Sequence, residues 1–180
     1  MLLVSRIFVI ANWLSAGLPA VHIFARLTGY SIEPLNCAPL LVIIGSGALA
    51  GSLGMIAYYL RSVTLTAGAA FQFAGTILLL FPETIPFSGS LVAAQYGSLA
   101  FALFRGILTP RIPVARITGT VIIIWMLIGI SRWLIAVTTD NTGIEPALRI
   151  SWILTLCFQI TALILLTRGF WRYIPSANSI

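Results

Sequence analysis

The chain contains no lysine, only four carboxylates and a single histidine among its 180 residues. Each shortage excludes a class of chemistry. Without lysine, no side chain can form a Schiff base with retinal or another carbonyl chromophore. His22 alone cannot supply bis-histidine haem ligation, and no Cys, His, Asp or Glu spacing matches a metal site. A Gly-x-Ser-x-Gly nucleophile motif is missing. Ser46 stands between Gly45 and Gly47, but no base can be assigned to it. Two cysteines are present, Cys37 near the start of an apolar run and Cys157 in the middle of another. That difference in depth argues against a disulfide, and both read as small apolar packing residues. No catalytic, cofactor or metal site is expected.

Charge is also scarce. Charged residues make up 8% of the chain and hydrophobic residues 59%, where a soluble domain carries about 25% charged residues. Mean hydropathy is +1.06. Ten arginines against four acids give a formal net charge of +6. In a soluble protein that balance would point to nucleic acid. Here the arginines stand singly at the ends of apolar runs, without a basic cluster, so no nucleic-acid partner is expected. The expected partner is the lipid bilayer.

A membrane-spanning helix needs about 20 mainly apolar residues. Six runs approach or meet this, at about 4–27, 38–60, 63–81, 88–105, 117–137 and 150–168. The links between them carry the residues that stop helices: Arg61-Ser62, Pro82 to Pro86, Thr109 to Pro113, and Thr138 to Pro146. The strict alternation of barrel strands is absent. The first run, with Arg6 ahead of it, is like a signal peptide, but its length and its breaks at Asn12 and Gly17-Leu18-Pro19 predict a retained helix. The expected fold is all-α, a polytopic transmembrane helix bundle of about six spans forming one domain over 1–180.

Along a six-crossing path, Arg6, Arg61, Arg105, Arg111, Arg116, Arg168 and Arg172 fall on one side with both termini. Arg26, Arg132 and Arg149 fall on the other, together with all four acids, Glu33, Glu83, Asp140 and Glu145. The positive-inside rule makes the arginine-rich side cytoplasmic. The expected location is a cytoplasmic (inner) membrane, with both termini inside.

Polar residues within the runs are the candidate functional groups. On an uninterrupted α-helix, Asn12, Ser15, Pro19, His22 and Arg26 share an arc of about 80°. Gln72 shares a face with Gly68, Gly75 and Thr76; Gln95 lies with Ser88 and Ser98; Gln159 lies with Ser151, Trp152 and Thr155. Arg132 sits about one turn from the outer end of its run. Two readings stay open. Either these groups are interhelical packing contacts, or Asn12, Ser15, His22, Arg26, Gln72, Gln95, Arg132 and Gln159 line a polar cavity or outer vestibule. A guanidinium there would suit a carboxylate or phosphate. Gly47 and Gly51 form a small-xxx-small step for close helix packing, within the chain or with a partner. No carboxylate occurs in the middle of a run, so proton- or sodium-coupled transport is not expected.

Between Thr64 and Leu166 the chain has a glycine-containing run ending in Phe81-Pro82, Gly106 after Arg105, and Ile130-Ser131-Arg132-Trp133-Leu134 followed by Asp140 and Pro146. In these features it resembles the small DoxX-like families of bacterial membrane proteins. The resemblance implies a four-helix membrane unit and leaves the first two runs outside it. It carries over no functional residue. The functional expectation is a non-catalytic membrane subunit with a membrane-protein partner or in a homo-oligomer. A facilitative carrier or channel for a small polar or anionic solute is the alternative, and a membrane-embedded lipid-modifying enzyme a second one.

Overall fold

The computed structural model describes residues 1–27, 38–81, 85–108, 112–138 and 145–173, excepting the side chains of 26, 38, 85–90, 112, 132–138 and 145–149. Glu33, Glu83 and Asp140, and the side chains of Arg26, Arg132 and Glu145, therefore lie outside the described residues. Cys37 and Arg111 do too.

The described elements are all helical, with no strand among them. Helix α1 (Leu2–Asn12), a π-helical turn (Trp13–Gly17) and α2 (Leu18–Leu27) make the first rod. It is followed by α3 (Ala38–Leu60), α4 (Val63–Leu78), α5 (Ile85–Phe104), α6 (Ile112–Thr138) and α7 (Glu145–Phe170). The six rods coincide with the six apolar runs, as hydrocarbon demands: a helix bonds its own backbone polar groups without water. Four segments are long and apolar enough to cross a membrane: Leu2–Ala25, Pro39–Leu60, Pro113–Ser131 and Ile150–Phe170. Val63–Leu78 and Leu91–Phe104 are apolar but shorter. At 1.5 Å per residue, the 16 residues of α4 reach about 24 Å, against about 30 Å of hydrocarbon.

Each rod packs on its neighbours in sequence, and the first also packs on α7. Side-chain contacts give the directions. Phe8 meets Phe170, and Trp13 meets Thr167, so α1 and α7 run antiparallel. Val63 and Thr64 share a cavity with Arg105 while a methyl at Gly68 would touch Ser98, and Gly97 faces Met126 while Gly119 faces the Phe104 ring. These contacts make α4/α5 and α5/α6 antiparallel too. The same end of the bundle therefore collects Arg6, Arg61, Arg105, Arg116, Arg168 and Arg172. There the Arg6 guanidinium lies 5.6 Å from the Trp171 ring centroid. Exposed Tyr58, Tyr59 and Trp171 surround that end, the pattern of an interfacial aromatic belt.

Two helices at this end stop in the same way. Arg61 takes a left-handed φ of 50° after α3, and Gly106 a φ of 73° after α5. Both endings show the Schellman pattern: Ser62 N–H returns to the Ala57 carbonyl, and Ile107 N–H to the Ala102 carbonyl. The Ser62 hydroxyl then accepts from Leu65 N–H at 3.3 Å and caps α4. Two residues, Arg61 and Ser62, thus suffice to reverse the chain.

The interior is filled by Phe8, Leu49, Leu53, Leu65, Leu99 and Ile122. The outside is apolar as well, with Leu3, Leu40, Met55, Phe73, Leu127 and Ile164 exposed. A solvent of lipid tails accepts such a surface; water would drive it to aggregate.

Candidate functional site

Polar side chains inside the bundle have three fates: bonded between rods, bonded within their own rod, or buried without a partner. The first rod shows why. Pro19 has no N–H and cannot complete the α-ladder one turn back. The helix responds with a wider turn in which Leu18 N–H bonds the Trp13 carbonyl, an i→i+5 contact. The Trp13 ring lies over Gly17, where a Cβ would collide with it. Such a turn holds one extra residue and so rotates everything beyond it by about 100°. The arc expected for an uninterrupted helix is broken at this point. Asn12 and His22, about 80° apart on that helix, come to lie about 180° apart.

Asn12 is buried. Its amide donates to the Phe8 carbonyl at 2.8 Å, and its carbonyl oxygen accepts from the Tyr96 hydroxyl at 2.9 Å. Tyr96 also stands edge-on to Trp125 at 4.8 Å between ring centroids. Ser15 is half-buried, and its hydroxyl donates to the Asn12 carbonyl at 3.4 Å. His22 is half-buried too.

The π turn is tied to α7 twice. Trp13 Nε1 donates to Thr167 Oγ1 at 2.8 Å. Gln159 Nε2 donates to the Ala16 carbonyl, also at 2.8 Å. On its other side the turn meets α3: a Cβ at Gly45 would fall 2.5 Å from Leu14 Cβ and 3.0 Å from Ser15 N. Glycine at position 45 lets the two backbones touch.

Between α3 and α4, Gln72 Nε2 donates to Ser46 Oγ at 2.6 Å. The Thr76 hydroxyl gives its proton to the Gln72 carbonyl at 2.8 Å. It therefore has none left for Ser46, so Ser46 Oγ donates to Thr76 Oγ1 across 2.8 Å. Gln72 Oε1 remains buried with no partner. Gln95 on α5 is 0% exposed, and neither atom of its amide has a partner. Among the described residues, Ser5 Oγ is the other buried, unpartnered atom of this kind.

Among the described residues, the candidate side chains with a given partner are tied to different neighbours. Asn12 joins α5, Gln159 joins the π turn, Gln72 joins α3, and Gln95 is isolated in the core. The side chains of Arg26 and Arg132 lie outside the described residues. Gly51 is exposed with nothing within 4 Å of a Cβ placed there, and Gly47 approaches only the Thr76 methyl, at 4.0 Å. Among the described residues no three of His, Cys, Asp and Glu come together as metal ligands. Sequence reasoning missed Tyr96, Trp13 and Thr167 as partners. Aromatic rings in an apolar run read as apolar, and their polar atoms matter only once a neighbour is known. Comparison with family models, curated proteins and solved structures finds no match.

Proposed function

We propose that this chain is a non-catalytic membrane subunit whose helices pack within a larger assembly, its arginine-rich end at the cytoplasmic face of an inner membrane. The observation that carries the reading is the use made of the polar side chains. Asn12, Trp13, Ser46, Gln72 and Gln159 are committed to bonds between rods. Such bonds hold helices together in a medium that offers no hydrophobic drive between them. Supporting it, Gly51 is exposed on α3 with nothing within 4 Å of a Cβ placed there, so another helix can approach closely at that point. Photo-crosslinking from Gly51 in native membranes, followed by detergent extraction, tests this. The expected product is a discrete adduct with a partner or a second copy; a monomer alone refutes the reading. Orientation is tested with Glu33→Cys and Arg111→Cys: a membrane-impermeant thiol reagent applied to intact cells labels position 33 and spares 111.

A second reading, a facilitative carrier for a small polar or anionic solute, is favoured by one observation. The unpartnered Gln95 amide and Gln72 Oε1 are the kind of group a transient polar guest satisfies. Flux in proteoliposomes that Gln95→Leu abolishes would support it, and absence of flux in the wild type removes it.

A further inference from the structure

At the arginine-rich end, the α3–α4 turn and the end of α5 border an open cavity of about 440 Å³ lined by Arg61, Ser62, Thr64, Arg105 and Gly106. Two guanidinium groups, on elements far apart in sequence, thus border one space. Arg105 is held at the rim by the Phe101 ring, with 5.4 Å from its Cζ to the ring centroid, a cation–π contact that leaves its N–H fork available.

Arg61 adds a second argument. The two Schellman endings here demand the same left-handed residue, and α5 supplies Gly106 while α3 supplies Arg61. A residue with a Cβ is strained in that conformation, and glycine is not. The fold would be better served by glycine, so the guanidinium is kept against the preference of the backbone. The first amides of α4, at Val63 and Thr64, have no carbonyl one turn earlier and present the positive end of the helix to the same space. The charged side chains lining the cavity, Arg61 and Arg105, are both cationic.

We propose that this cavity binds a phosphate group between Arg61 and Arg105. A phosphate offers several acceptor oxygens at the spacing of a guanidinium fork. The cavity lies among the exposed aromatics and arginines that mark the headgroup level, so the phosphate belongs either to an anionic lipid or to free phosphate. The proposal stands apart from the subunit reading, because it needs no protein partner.

The experiment uses the full chain in neutral detergent at low salt, with thermal unfolding followed by tryptophan fluorescence. Inorganic phosphate is titrated in one arm, and phosphatidic acid in mixed micelles in the other, with dodecanoate as a carboxylate of equal charge sign. Phosphate or phosphatidic acid should raise the melting temperature of the wild type. Arg61→Gly and Arg105→Gln should each weaken that response by about tenfold, the loss of one charge-assisted contact pair. Arg116→Gln, on the same end but outside the cavity, should keep it. Arg61→Gly should also melt higher than the wild type without ligand, which shows that its lost response is not misfolding. A response to inorganic phosphate assigns free phosphate, and a response to phosphatidic acid alone assigns the headgroup. The proposal is overturned if neither raises the wild type, if dodecanoate does as much, or if Arg116→Gln weakens the response as strongly as Arg61→Gly.

Discussion

Tyr96 and Asn12 join α5 to the first rod through one hydrogen bond between two buried side chains, 2% and 1% exposed, at 2.9 Å. Tyr96→Phe removes only the hydroxyl and keeps the ring against Trp125. Interhelical hydrogen bonds in membranes average about 0.6 kcal/mol and reach about 1.7. Removing the donor also strands Asn12 Oδ1, and a buried unpaired acceptor costs about 1–3 kcal/mol. We expect Tyr96→Phe to destabilise by about 1–3 kcal/mol, and Asn12→Leu, which strands the hydroxyl, by a similar amount. With both groups gone nothing is left unpaired, so the double variant should lose less than the two singles together, by about 0.6–1.7 kcal/mol. Reversible unfolding in mixed detergent–SDS micelles gives the free energies, and Trp125 beside Tyr96 reports locally. Additivity within about 0.3 kcal/mol would refute the reasoning, because two groups that share a bond cannot act independently.

Three further substitutions probe the same bundle. Gln95→Met replaces an amide with no partner by an apolar chain of similar length; it should stabilise the protein by about 1 kcal/mol or more, and a loss in the same assay would mean that the amide has a guest. Gly45→Ala puts a methyl 2.5 Å from Leu14 Cβ and 3.0 Å from Ser15 N, so it should cost about 1–3 kcal/mol, whereas Gly51→Ala in the isolated chain should be neutral or stabilising by up to about 1 kcal/mol. Equal effects at the two glycines would contradict the described α3 packing. Gln159→Leu unties α7 from the π turn and should cost about 0.6 kcal/mol, with faster hydrogen exchange confined to the first rod and α7; exchange unchanged there would count against the tie.

Composition and run length alone decided that the chain is a bundle of membrane helices. Hydrocarbon accepts a backbone only when its polar groups are bonded within the segment, and runs near 20 apolar residues have no other way to achieve that. The positions of the arginines also placed Arg6, Arg61, Arg105, Arg116, Arg168 and Arg172 at a common end before any contact was known. Tertiary structure decided what the polar residues do. Asn12, Ser15, His22 and Arg26 were expected on one stripe, but the missing N–H of Pro19 opened a π turn and turned the second half of the rod away. Periodicity assumes a constant residues-per-turn, and one proline suffices to break it. Gly47 and Gly51 stood out by spacing, yet the backbone contact falls at Gly45, because close approach depends on where two axes cross. The pairing of Arg61 with Arg105 around one cavity was invisible for a similar reason. It arises only when two Schellman turns, some 45 residues apart, are brought side by side by antiparallel packing of α4 on α5.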